Sequence, residues 1–481
     1  MSDVPTPYPT DDPRRRRRPY RDRVAVLPGD PPIAYRPGVV LVDQETLDAL
    51  VYAEVIDPEG ADIDAVFTAT GDDGELVGEL PPFGQWHRIR GVADAPQLVA
   101  QIEDVGLTAQ LDLVYFANGA DCCGCPPHPA LASEFAADPW RANPWRANPW
   151  RANPWRANPW RANSWSANPW RANAEELNVV ATGKPPTSSV MPAPERSLPV
   201  RPAHPPGQPS NGVKIGVLDS GLAGGPKNTS GLRPNLLGLD PADLVRISGP
   251  ADLPSAPINN HPADDYLDPV AGHGTFIAGI IEQLTPGCEI RVEDVFEPEG
   301  DVDTFELAVW LWWLMSTVDP QIVNFSFGGT GRGILFELLI EVYHDLYDVV
   351  FVAAAGNEGS CVEQYPAALD SVIGVAGLGP TGPAEWSNYG PWVDACAPGT
   401  DLTSSFFAWF DGELPRINGI DSDDFEQWAT WTGTSFAAPV VVAALAREMV
   451  TTNCTANEAV ERVVRAPHLA RLPDMGTIVN F

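Results

Sequence analysis

Positive charge is the scarcest feature of this chain. Lys184, Lys214 and Lys227 are its three lysines, and Lys plus Arg total 30 against 64 Asp plus Glu, a net charge of −34 over 481 residues. A chain of this sign lacks the basic surface that neutralises phosphates, which excludes nucleic acid as a general partner. Long apolar runs are missing too. The densest, Leu307 to Met315, is nine residues, well short of the roughly 18 that cross a bilayer, so no membrane association is expected. The basic run Arg14 to Arg18 leads into Pro19, Tyr20, Arg21 and Asp22 rather than an apolar h-region, so no secretory signal is read. A cytoplasmic location is the expectation, or a secreted one if the start site is misassigned. Cysteine is sparse, and seven, an odd number, fits a reducing compartment better than a disulfide framework.

Proline and glycine, in contrast, are abundant at 51 and 42. The prolines are unevenly placed, with 27 of them in residues 1–37 and 119–211. Pro-rich chain of this kind reads as tail and linker. The division that follows is a disordered tail (1–37), a small domain (38–118), a Pro-rich linker (119–211) and a large domain (212–481). The two segments that look folded are acidic, with −26 on residues 212–481 alone.

The linker contains a repeat, Pro-Trp-Arg-Ala-Asn, from Pro139 to Asn173, which holds seven of the sixteen tryptophans. A period of five fits neither strand nor helix, and proline in each full unit removes a backbone donor. It is either a semi-extended spacer or a multivalent docking strip, since Trp and Arg are common interface anchors. Cys122, Cys123 and Cys125, with His128 nearby, carry zinc-ligating groups but lack a second well-spaced pair, so incidental linker thiols are the favoured reading.

Residues 38–118 alternate between strand and helix patterns. Strands are expected at Gly38 to Val42, near Ala65 to Ala69, at Gln85 to Val92 and at Ala109 to Tyr115, with helices at Glu45 to Glu54 and Asp94 to Asp104. The order βαββαβ is that of a ferredoxin-like fold, an order shared by many functions.

From Val213 apolar strands ending in small residues alternate with amphipathic stretches, the pattern of a doubly wound, mostly parallel α/β sheet whose ligands bind at the strands' carboxyl ends. Three segments stand out. Ile215-Gly-Val-Leu-Asp219-Ser-Gly221 delivers a carboxylate at a strand end. Gly272-His273-Gly274-Thr275 opens an apolar helix with an imidazole flanked by glycines. Thr432-Gly433-Thr434-Ser435 leads into a buried helix beyond Pro439. Alone, each reads as a turn or helix cap. Together they supply what nucleophilic acyl transfer needs: a hydroxyl, a base to activate it, and a carboxylate to orient the base.

These blocks resemble the subtilisin-like serine peptidases (subtilases): Asp-Ser-Gly at 219–221, Gly-His-Gly-Thr-x-x-Ala-Gly at 272–279 and Gly-Thr-Ser-x-Ala-x-Pro at 433–439, in that order. Val323-Asn-Phe-Ser-Phe-Gly-Gly329 and Phe351-Val-Ala-Ala-Ala-Gly-Asn-Glu-Gly359 resemble further segments of the family. The resemblance implies a serine endopeptidase acting on protein or peptide substrates, with Ser435 as nucleophile, His273 as base, Asp219 as its orienter and Asn357 as oxyanion donor. It also implies that Ser326, Phe327 and Gly328 pair with substrate backbone and that Ala353, Ala354, Ala355 and Gly356 wall the primary pocket. No metal cofactor is required. The acidic insertion holding Asp264, Asp265 and Asp268 is either a calcium site or a solvated loop, and a second insertion runs from Phe406 to Trp428. Phe276 stands where the family commonly has a second histidine. Prodomains of this family are ferredoxin-like, so the N-terminal domain is expected to act as the protein's own folding aid and inhibitor. The rival expectation is an inactive or scaffolding relative that binds partners through the Trp-Arg repeat.

Overall fold

The computed structural model describes residues 24–58, 60–67, 78–117, 191–192, 212–223, 247–248, 251–252, 270, 272–297, 300–380, 382–406 and 428–479. The Pro-Trp-Arg-Ala-Asn repeat, Cys122, Cys123, Cys125, His128, the acidic insertion around Asp264 and nearly all of the 406–428 insertion lie outside them.

The N-terminal part is built from β1 (Ala25–Leu27), β2 (Ile33–Asp43), α1 (Gln44–Tyr52), β3 (Asp62–Ala65), β4 (Trp86–Arg90), α2 (Ala95–Asp104) and β5 (Ala109–Ala117). Its sheet has the order β5-β2-β4-β3 with all these neighbours antiparallel, and β1 pairs with β2. Asp43 and Asp94 start the two helices by accepting from Thr46 N and Gln97 N, which satisfies backbone donors that the first turn leaves open. The ordered chain begins earlier than the sequence suggests, because β1 and most of the first half of β2 fall inside the segment expected to be a disordered tail. Pro37-Gly38 looks like a strand break. Instead β2 continues through it with a register shift against β5 between Tyr35 and Val40, and Gly38 takes φ 74, the geometry of a β-bulge.

The large domain is α/β, with one sheet wound by helices on both faces. Its strands are β6 (Lys214–Asp219), β7 (Glu289–Asp294), β9 (Ile322–Phe325), β11 (Val350–Ala354), β12 (Val372–Gly379), β13 (Ala395–Pro398) and β14 (Gly476–Ile478), while β8 (Asp301–Asp303) and β10 (Phe327–Gly328) join the N-terminal sheet instead. The order is β14-β13-β12-β11-β9-β6-β7, and each of these neighbouring pairs is parallel. Helices α3 (His273–Leu284) and α6 (Thr434–Thr452) cover one face, and α4 (Thr304–Thr317) and α5 (Ile334–Tyr347) the other. Strands buried on both sides must be apolar throughout, which is why Ile215, Val217, Ile322, Val323, Phe351 and Val352 are fully buried without alternation. The nine-residue apolar run is the core of α4, with every residue from Leu307 to Met315 buried.

The two parts share a core. β5 pairs antiparallel with β8 and with β10 of the large domain. Arg36 donates to Asp301 at 2.7 Å and Asp303 at 3.0 Å, while Arg88 pairs with Glu306 at 3.0 Å and lies 3.9 Å over the Phe305 ring. Asp112 of β5 accepts from Phe305 N and Thr304 Oγ1, capping α4 from across the interface. Phe67 packs against Trp312 at 5.6 Å.

Candidate active site

Asp219 is the last residue of β6 and is completely buried. Its carboxylate accepts from the backbone of Ser220 at 2.9 Å, and the Ser220 hydroxyl accepts from Gly274 N at 3.1 Å. Strand end and helix start are thereby tied together. A Cβ at Gly274 would stand 2.5 Å from the Gly221 carbonyl and 3.3 Å from Asp219 Oδ1, so only glycine permits this approach. His273, the first residue of α3, places Nδ1 at 2.8 and 2.9 Å from the two Asp219 oxygens. That contact assigns the proton to Nδ1 and leaves Nε2 with its lone pair, the tautomer a general base needs. Trp431 meets the imidazole edge-on at 5.4 Å, and Phe436 lies tilted against it at 5.2 Å. Phe276 completes this aromatic packing at 4.6 Å from Phe436, which gives the phenylalanine at that position a packing role.

Ser435 is the second residue of α6 and its hydroxyl donates to the Ser326 carbonyl at 3.4 Å, a weak bond at that length. Its own carbonyl has an unusual partner. Pro439 lies four residues on inside the same helix and has no N–H to give it. The Ser326 hydroxyl donates to that carbonyl instead, at 2.9 Å, and accepts from Asn324 Nδ2 at 2.9 Å. Ser326, which links β9 to β10, therefore positions the backbone of Ser435.

Asn357 follows β11 through a Gly356 with φ 103. Its Oδ1 accepts from Thr434 N at 2.8 Å and Thr434 Oγ1 at 2.9 Å, and the Thr434 hydroxyl also accepts from Gly356 N at 3.0 Å. With the oxygen fixed by two donors, the amide orientation is set, and Nδ2 is a buried donor with no partner among the described residues. Such a group is costly unless something charged or polar comes to meet it. Asn388 braces the same turn, donating to the Ala355 carbonyl and accepting from Glu358 N and Ser360 N. Thr434 and Asn388 sit inside recognisable blocks, but their supporting bonds run 77 and 33 residues away, and nothing in the local pattern announces them.

Of the residues expected to meet substrate, Phe327 and Gly328 pair with Ala117 and Phe116 of β5. The Phe327 side chain is buried among Phe325, Phe296, Phe336 and Tyr115, so this residue offers its backbone and not its ring. Ala353, Ala354 and Ala355 are completely buried; Ala353 and Ala354 face opposite sides of the sheet, as alternation along a strand dictates, and Ala355, just past the strand, joins a third cluster. Burial pushes the Cys396 thiol up to about 11, leaving it inert. Among the described residues no group of three His, Cys, Asp or Glu side chains has metal-binding geometry.

A profile of the subtilase family matches residues 210–466. The thermostable alkaline protease of Halalkalibacterium halodurans is 27% identical over 257 residues, 51% of this chain and 59% of that one. The minor extracellular protease Epr of Bacillus subtilis is 28% identical over 246 residues, 49% of this chain and 31% of its own. The chain thus matches well under two thirds of the length of either relative. Among solved structures, that of the prenylagaramide maturation protease PagA aligns at 19% identity with a TM-score of 0.41, covering 56% of this chain and 90% of that one.

Proposed function

Because the chain belongs to the subtilase family, we propose that it is a serine endopeptidase working through Asp219, His273 and Ser435. Ser435 Oγ attacks the scissile carbonyl carbon while His273 Nε2 takes its proton, and Asp219 stabilises the imidazolium that results. The oxyanion is met by Asn357 Nδ2 and the backbone N–H of Ser435, which starts α6 without a side-chain cap and so belongs to the first-turn donors a helix leaves available. His273 returns the proton to the leaving amine, and water repeats the sequence on the acyl-enzyme. No metal enters these steps; calcium at the acidic insertion would serve stability only. The observation that carries the reading is the approach of both Asp219 oxygens to His273 Nδ1, because it prepares the base. A fluorophosphonate probe tests it: labelling that disappears in Ser435→Ala supports the enzyme. Folded protein that takes no label would instead favour a scaffolding subtilase relative that binds partners through the Trp-Arg repeat.

The N-terminal domain is read as a ferredoxin-like prodomain that inhibits the enzyme by filling its cleft. Its strand order β5-β2-β4-β3 supports this, as does the seating of β5 on β10. The linker is the segment whose cleavage would release it. Mass spectrometry of an active preparation decides the matter, since an intact, fully active chain would defeat release and favour a permanent regulatory domain.

A further inference from the structure

We propose that the outer edge of the strand Trp428–Trp431 is a strand-addition site whose occupant is the linker segment Met191–Pro192, and that this segment stays there as a strap on the large domain when the linker is cut upstream of it.

The receiving strand belongs to a hairpin, Leu402–Ser405 with Trp428–Trp431, that joins the two helices of the site. Its first strand lies along α3: Ser404 Oγ donates to the Phe276 carbonyl at 2.7 Å and Gln283 Nε2 to the Thr403 carbonyl at 3.2 Å. Its second strand brings the Trp431 ring to His273 and then runs through Thr432 and Gly433 into α6, where Ser435 stands. One edge of that second strand is paired within the hairpin. The other, left bare, would show a row of backbone donors and acceptors, a template for any extended chain.

Met191–Pro192 covers it. The pairing is antiparallel, with Thr430 opposite Met191 and Ala429 opposite Pro192, and it makes a three-stranded sheet of the hairpin. Opposed residues in such a ladder alternate between pairs that exchange both N–H···O bonds and pairs that exchange none. Proline has no N–H, so Thr430 and Met191 are the pair that exchanges bonds, and Pro192 falls where the ladder asks nothing of it. Proline is tolerated on a strand at such edge positions, and there it also discourages a further strand from adding outside.

The surrounding linker, Val190-Met191-Pro192-Ala193-Pro194, is uncharged in a chain of net charge −34, which lets it meet the acidic large domain without like-charge repulsion. Among the described residues, the three-stranded sheet contains no strand of the N-terminal domain. Residues 193–211 join the segment directly to the large domain, so a cut further upstream leaves its local concentration at the hairpin unchanged.

The test is residue-resolved hydrogen exchange by mass spectrometry on the full-length chain carrying Ser435→Ala, in which no self-cleavage intervenes. Met191→Pro removes the N–H that answers Thr430, and the Thr430 amide should then exchange about tenfold faster. Met191→Leu keeps the N–H and should leave the rate unchanged. A further form carries the recognition sequence of an added site-specific endopeptidase in place of residues 176–182, and after complete cutting the Thr430 amide should keep its protection. Equal exchange in Met191→Pro and its parent overturns the pairing, and loss of protection on cutting overturns the strap. The cut form retains Met191, so it decides the matter even if Met191→Pro does not fold. Because every form lacks the Ser435 hydroxyl, these outcomes stand apart from whether the chain is a peptidase.

Discussion

The helices that begin at the site are started differently from those that support it. α1, α2 and α4 each carry an aspartate cap, Asp43, Asp94 and Asp303, whose side chain satisfies a first-turn N–H. α3, α6 and α5 begin after Gly272, Gly433 and Gly333 with no side-chain cap. One presents His273, one presents Ser435, and the third presents the turn that holds the Tyr115 hydroxyl. Each supporting helix closes part of its own end, although α4 also draws on Asp112 for Phe305 N. Those at the site keep donors that only another group can meet: Asn357 for Thr434 N, Tyr115 for Gly333 N and Gln110 for Ile334 N at 2.7 Å. A Cβ at Gly272 would stand 2.2 Å from the Phe406 ring and one at Gly333 2.7 Å from Thr304 Cγ2, so these two starts have no room for a capping side chain.

Substitutions can break that comparison, and the largest effect belongs to Ser435→Ala. Peptide hydrolysis should fall by about 10⁶ in kcat, the magnitude measured for the nucleophile in subtilisin, a member of this family. Asn357→Ala removes the unmatched donor and should cost about 10² to 10³ in kcat with KM little changed, again a scale set by subtilisin; steady-state kinetics showing a KM effect alone would contradict the oxyanion role. Ser326→Ala leaves the Ser435 carbonyl without a donor, and kcat should fall by about tenfold or more. Adding Pro439→Ala restores a helical N–H to that carbonyl, so the double variant should recover part of the loss, and a merely additive result would refute the positioning role.

Docking of the N-terminal domain should depend on pH. Burial first, and then the neighbouring Asp303, push the Asp112 carboxyl up to about 8. A carboxyl raised in the folded state takes up a proton on docking, so its contribution favours docking at low pH and is lost as pH rises from its ordinary value near 3.8 through about 8. Thermal unfolding should therefore occur at lower temperature at pH 9 than at pH 6, and Asp112→Asn should flatten that dependence. The smallest effect is expected at a supporting helix. Asp43→Ala should cost about 1 kcal/mol of stability by denaturant titration and leave the kinetics of the released enzyme unchanged.

The residues proposed to carry the chemistry stand out in sequence because each lies in a short block with its own logic: a carboxylate ending a buried strand, an imidazole between glycines, a hydroxyl opening an apolar helix. Their supports were not legible. Ser326 answers a carbonyl that Pro439 leaves unbonded, a relation spanning 109 residues. Arg36 and Arg88 find Asp301 and Glu306 at separations of 265 and 218 residues, which no periodicity encodes. The start of β2 was obscured by Pro37-Gly38, since a bulge and a linker present the same composition. Tyr115 read as one more alternating strand residue, and its partners appear only when β5 lies across the turn at Gly331.

The shared slot between β8 and β10 holds one strand at a time, and its present occupant is attached. β5 is joined to β6 by residues 118–213 of the same chain, so the occupant's local concentration is set by the tether and not by the protein's concentration. Free peptide at micromolar levels competes poorly against a tethered strand. On the prodomain reading, one cut between Ala117 and Lys214 would change the rule: the bound strand would become an ordinary inhibitor, diluted with the protein and displaced in proportion to substrate. Control would then pass from tether length to protein concentration, and thinning the solution would become a way of switching on such a peptidase.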